Sequence, residues 1–133
     1  MRTTARETVF KILFSSQFND DIKELKNSLY KIEKLNKNDT EYCDQILNTV
    51  ASNREKLIKI IDERSKLFPQ VRMFPADRSI ILIALAEIMF IPDIPSAVSV
   101  NEAANIASKY SSEKSASFIS GILSEVIKEQ NNV

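Results

Sequence analysis

Asp77-Arg78-Ser79-Ile80-Ile81-Leu82-Ile83-Ala84-Leu85-Ala86-Glu87-Ile88 is apolar nearly all round, as expected of a helix buried in the middle of a bundle. Pro92 and Pro95 follow and end it, because a proline can neither donate its backbone N–H nor fit inside a helix. The run from Ile80 to Phe90 is broken by Glu87 and falls short of the roughly 20 residues needed to cross a bilayer. A helix this apolar needs other helices around it, and the rest of the chain supplies them.

Thr4-Ala5-Arg6-Glu7 fits a capping box, with Ala5, Val9, Ile12, Leu13 and Ser16 on one face of a first helix. Ile22, Leu25, Leu29 and Ile32 stripe a second after Asp20-Asp21, and Asn36-Lys37-Asn38-Asp39 closes it and caps the next. Cys43, Ile46, Leu47, Val50 and Ala51 mark a third helix, and Leu57, Ile58, Ile60 and Ile61 a fourth beyond a bend at Ser52-Asn53. After the central helix, Val98, Val100, Ala103, Ala104, Ala107 and Tyr110 mark a sixth. Ser111-Ser112-Glu113 offers an N-cap for a seventh, with Phe118, Ile119, Ile122, Leu123, Val126 and Ile127 on one stripe. The expectation is an all-α single domain of about seven helices over residues 1–133. Its first half would cover about 1–68, a loop bracketed by Pro69 and Pro75 would cover 69–76, and its second half about 77–130.

Composition agrees and narrows function. One glycine and four prolines in 133 residues favour long helices, and 44% apolar residues can fill one core. Lys plus Arg and Asp plus Glu are 18 each, so any nucleic-acid site must be a local patch. Histidine is absent and Cys43 stands alone, which removes the commonest general base, the commonest zinc ligand and any internal disulfide. Gly121, the only glycine, cannot form a phosphate-binding loop. Asp20-Asp21 and Asp62-Glu63 read as solvated helix ends or faces, and Cys43 as a buried structural thiol. No enzyme, cofactor or metal is expected. The N-terminus lacks a signal-peptide core, and the expected location is cytoplasmic.

Two small clusters invite a ligand. Phe10, Phe14 and Phe18 form their own i, i+4 stripe on the first helix, beside Arg2, Arg6 and Lys11. Phe10 is expected between two helical layers, whereas Phe14 is open between core and an exposed ring on which an unstacked base could lie. Lys109 and Lys114, near Tyr110 and Phe118, form the second cluster. Taken alone, the second reads as a solvated corner with two core aromatics, and periodicity does not say whether the two clusters meet.

The motifs carry a resemblance. Asp77-Arg78 leading into Ile83-Ala84-Leu85-Ala86-Glu87 is similar to the D-R-x-I-L-R-x-A-x-Y-E-L segment of the NusB family. Ile94-Pro95-Ser96-Ala97-Val98-Ser99-Val100-Asn101-Glu102-Ala103 matches its I-P-x-x-V-A-I-N-E-A. Ala107-Ser108-Lys109-Tyr110 and Ser115-Ala116-Ser117-Phe118-Ile119-Ser120-Gly121-Ile122-Leu123 follow its A-K-x-F and S-x-x-F-V-N-G-V-L, and Ala5-Arg6-Glu7 with Leu13-Phe14 and Gln17 resembles its first helix.

The resemblance implies a fold of two stacked helical halves and a non-catalytic transcription antitermination factor. It also implies a heterodimer with the ribosomal protein NusE that holds boxA-type single-stranded RNA and loads the antitermination complex onto RNA polymerase. RNA-contacting positions would be Arg2, Arg6, Phe14, Lys114 and Phe118, and Asp77 would lie on the partner-facing surface. Both a monomer and a homodimer stay open. The chain departs from the pattern at Leu82, Ala86 and Ser120, and its arginine-rich start is reduced to Arg2 and Arg6, which lowers the expected phosphate affinity. Two further readings stand beside this one. The chain could be a protein–protein adapter that kept the fold and lost RNA binding, or the NusB-like module of a ribosomal RNA cytosine methyltransferase.

Overall fold

The computed structural model describes residues 2–65 and 73–131. These form seven helices: α1 (Arg2–Ser16), α2 (Ile22–Ile32), α3 (Lys37–Ser52), α4 (Arg54–Arg64), α5 (Pro75–Phe90), α6 (Ser96–Tyr110) and α7 (Glu113–Asn131). Among the described residues there is no strand, and no helix is long and apolar enough to cross a membrane.

Helix α5 is the axis of the molecule. Every residue from Ser79 to Glu87 is buried, and α1, α3, α4, α6 and α7 all pack against it. Its start is pre-organised by Pro75 in the first turn, where the missing N–H costs nothing. The expected loop therefore ends earlier than position 76, and the part of it at 69–72 lies outside the described residues. Helix α6 folds back along α5 after the prolines, and α7 packs along α6. Helix α1 belongs to the first half of the sequence yet lies on α5 as well as on α3, so the two halves share one core. By contrast α2 rests on α1 and contains no buried residue.

The buried charge on α5 organises its neighbours. Glu87 is 1% exposed, and Arg6 of α1 is 4% exposed. Arg6 Nε donates to Glu87 Oε2 at 2.8 Å and Arg6 Nη2 to Oε1 at 3.0 Å, a two-pronged ion pair. Tyr42 of α3 donates its hydroxyl to Glu87 Oε2, and Ser99 of α6 donates to Oε1 at 2.7 Å. Four helices thus meet on one carboxylate. Arg6 Nη1 also lies 3.6 Å from Glu102 Oε1, which accepts from Thr3 Oγ1 at 3.0 Å. Burial alone would lower the Arg6 pKa, but the hydrogen bond and the negative charges around it outweigh burial and raise it. Burial, and then the Glu87 charge, push the Tyr42 phenol up. At the pH of any cell Arg6 is a cation and Tyr42 a neutral donor.

Side-chain caps form at the starts of α3 and α7. Asn36 accepts from the Asp39 N–H at 2.8 Å as the α3 cap, and Ser112 accepts from the Ser115 N–H at 3.0 Å to start α7. Between α2 and α3, Lys34 sits at φ 53°. Leu35 N–H bonds Tyr30 C=O, and Lys34 N–H bonds Lys31 C=O, both at 3.1 Å. This is a Schellman ending whose left-handed position is usually glycine. The expected capping box on α1 does not form, because the helix already starts at Arg2. Thr4 lies inside it and accepts through its carbonyl from Thr8 Oγ1 at 2.8 Å. Glu7 turns away to cationic and phenolic donors on α6, which outcompete a backbone N–H.

Two sets of variants test these points by urea denaturation. Arg6→Met leaves Glu87 charged and buried without its counter-ion, and is expected to cost about 3–5 kcal/mol. Arg6→Lys restores only part of that, since a single ammonium cannot make the fork. At the α2–α3 link the signs oppose each other. Lys34→Gly is expected to stabilise by about 0.5–1 kcal/mol by relieving the left-handed backbone, and Asn36→Ala to destabilise by about 1 kcal/mol through loss of the cap.

Candidate nucleic-acid interface

Helix α1 presents a second apolar face away from its core stripe. Phe10 is buried against Tyr110 of α6, ring centroids 5.1 Å apart, and against Phe14 at 6.0 Å. Phe14 is half-buried and meets Phe18 edge-on at 5.4 Å. Tyr110, Phe10, Phe14 and Phe18 therefore form one row running from the end of α6 to the end of α1. Phe18 is 69% exposed, an unusual state for so large an apolar ring and a natural stacking surface.

Glu7 holds the row together at its α6 end. Its Oε1 accepts from Lys109 Nζ at 2.7 Å and from the Tyr110 hydroxyl at 2.8 Å. Burial works to raise its pKa, but these two hydrogen bonds and the nearby lysines win and hold it below the usual carboxylate range. The contact that this clamp adds is complete at neutral pH and fades as acid protonates Glu7.

The α6–α7 corner leads directly from Tyr110 to a groove of about 240 Å³ lined by Met73, Phe74, Asp77, Ser112, Lys114, Ser115 and Phe118. Ser112 and Ser111 both hydrogen-bond the Ser115 hydroxyl, which in turn donates to Asp77 Oδ2 at 2.8 Å. The other end of α1 is tied to the start of α5 beside this groove. Gln17 Nε2 donates to Pro75 C=O at 3.2 Å and to Ser79 Oγ at 2.9 Å, and Arg78 donates to Gln17.

The expected site residues fall into three groups. Asp77, Lys114 and Phe118 share the groove, and Phe14 joins the same face through Phe10 and Tyr110. Arg2 is exposed with its guanidinium 4.3 Å from the Tyr42 ring centroid. It lies twelve residues from Phe14, roughly 18 Å along the helix. Arg6 departs from expectation. Its guanidinium is spent on Glu87 inside the core, so it is not presented to a ligand; a buried carboxylate offers it more than solvent or a phosphate would. Asp77 also differs from an open partner-facing residue, being 5% exposed with its Oδ1 buried and without a hydrogen-bond partner.

Other cations are committed as well. Lys109 is paired with Glu7 and Lys11 with Glu33, whereas among the described residues Arg2 and Lys114 make no ion pair. No group of three or more potential metal-ligating side chains occurs among the described residues. Cys43 is buried, and burial pushes its thiol up to about 11. Sequence reasoning missed the Glu7 clamp, because a Glu three residues after a Thr reads first as a cap. It also missed Phe74, whose position before Pro75 reads only as a turn.

Known proteins resemble the chain over nearly its whole length. The NusB family model matches residues 3–128. The transcription antitermination protein NusB of Natranaerobius thermophilus is 37% identical over 134 residues, covering 98% of this chain and 96% of that protein. A solved structure of T. maritima NusB superposes with a TM-score of 0.90 at 28% identity, covering 97% of this chain and 92% of that one. A second solved structure, of the antitermination factors NusB and NusE in complex with dsRNA, shares the fold with a TM-score of 0.86 at 23% identity, over 96% of each chain. With its buried axis, its serine-capped last helix and its aromatic first helix all in the matched span, the chain belongs to the NusB family.

Proposed function

We propose that this protein is a non-catalytic transcription antitermination factor that binds boxA-type single-stranded RNA jointly with NusE in the cytoplasm. The observation that carries the reading is the family match from residue 3 to residue 128. It covers both the aromatic row and the groove rather than one motif. In that role the protein brings RNA and ribosomal protein together for delivery to the RNA polymerase antitermination complex.

The surface chemistry supports a specific division of labour. Phe14, extended by Phe18, offers stacking area to unpaired bases. Lys114 and Arg2 supply the uncommitted positive charge for phosphates, and Phe118 walls the groove beside Lys114. Arg6 acts at one remove, as a positioning residue that locks α1 onto α5. With two such cations among the described residues, RNA affinity should be modest alone and depend on the protein partner.

The test is a fluorescence titration of a boxA-type RNA with and without NusE at two salt concentrations. Adding NusE is expected to tighten binding. Phe14→Ala should weaken it roughly five- to a hundredfold, the loss of about one stacked base. Lys114→Ala should weaken binding less and reduce the logarithmic salt slope by about 0.7. Absence of RNA binding at low salt even with NusE would overturn the reading, and NusE capture without RNA binding would put a protein–protein adapter in its place.

A further inference from the structure

The aromatic row on α1 begins with a carboxylate. Glu7, Phe10, Phe14 and Phe18 stand at i, i+3, i+7 and i+11, the spacing of one helix stripe. Phosphates that arrive with bases stacked on this stripe meet a like charge. Glu7 Oε1 also holds Lys109 Nζ at 2.7 Å, and the same ammonium lies 5.3 Å from the centroid of the Tyr110 ring. Lys109 is 62% exposed and Glu7 17% exposed. The ammonium therefore stands in solvent at the α6 end of the row, where a basic side chain beside a stacking surface would ordinarily track the RNA backbone.

The ion pair is not needed to tie the two helices. Tyr110 donates its hydroxyl to the same Glu7 oxygen at 2.8 Å, its ring packs on Phe10, and an ion pair this exposed adds little to stability. Its larger effect is on a ligand. If Lys109 meets a phosphate while still on Glu7, it brings almost no net charge. If it leaves Glu7, the bare acid is stranded beside the phosphate. Each phosphate contact by an unpaired cation is worth about 0.7 in the logarithmic salt slope of single-strand binding, or about fivefold in affinity at roughly 0.1 M salt. Lys114, which makes no ion pair among the described residues, is under no such restraint.

We propose that Glu7 limits RNA affinity by withholding Lys109 from the phosphates of RNA that lies on the aromatic row. Removing the charge of Glu7 then creates a phosphate contact that the wild-type protein lacks. The inference rests on the RNA-binding reading above and adds to it the residue that sets the strength and salt dependence of binding. The competing reading is that Glu7 acts only as a strut between α1 and α6, in which case its loss weakens RNA binding or leaves it unchanged.

The experiment is a fluorescence titration of a boxA-type RNA by the full chain with NusE, over a series of salt concentrations. Glu7→Gln keeps an oxygen that accepts from both Tyr110 and Lys109, so the tie stays and only the charge goes. It is expected to bind about fivefold tighter at roughly 0.1 M salt, with a salt slope steeper by about 0.7. Glu7→Ala gives up the tie as well and should steepen the slope by the same amount. Adding Lys109→Ala to Glu7→Gln should return both affinity and slope to wild-type values, and urea midpoints confirm that each variant is folded. A slope unchanged in both Glu7 variants would overturn the proposal and leave the RNA-binding reading intact. A gain that persists in the double variant would also overturn it, since Lys109 would not be the released cation. A double variant with a slope flatter than wild type would do the same, by showing Lys109 already on a phosphate. Absence of RNA binding by the wild-type protein would overturn both readings together.

Discussion

Glu87 is the point on which the structure turns. A carboxylate at the centre of an apolar helix is costly to bury unless all its lone pairs are met. Here Arg6, Tyr42 and Ser99 meet them from three different helices. Apolar side chains alone would let α1 slide or rotate on α5 by small steps at small cost. A two-pronged ion pair with two further hydrogen bonds admits one register. The faces that matter for binding follow from that register: with Arg6 turned inward, Glu7 falls toward Lys109 and Tyr110, and Phe10 and Phe14 line up beneath the α6 terminus.

The helices were legible because burial leaves a period in the sequence. The stripe of α7, the all-round apolar α5 and the polar caps at Asn36 and Ser112 are each local statements, and each reappears in the structure. What was not legible depends on distance along the chain. Arg6 looks like an exposed N-terminal cation because its counter-ion lies 81 residues away. Glu7 looks like a cap because its better partners lie 102 and 103 residues away. The same limit applied to the two clusters of basic and aromatic residues, which only the packing of α1 against α5 and α6 could bring to one face. Family motifs carried that long-range information where periodicity could not, since they encode which residues meet without saying how.

Counting charges at the N-terminus therefore misjudges this surface. Of the cations near the aromatic row, Arg6 supports the core, Lys11 pairs with Glu33 and Lys109 with Glu7. Among the described residues, the face that remains is more aromatic than basic. Such a surface discriminates through stacking and base edges, and depends less on nonspecific attraction to phosphate.

The peripheral place of α2 has a different consequence. None of its residues is buried, and it rests on α1 alone among its larger contacts, so its opening exposes little of the core around α5. The molecule is then graded in local stability, with α2 able to fray and reclose on its own while the helices around Glu87 open only in global unfolding. Backbone amides of α2 would exchange with solvent long before those of α5. A short insertion or deletion beside α2 would be absorbed there, leaving the ion pair, the aromatic row and the groove in place.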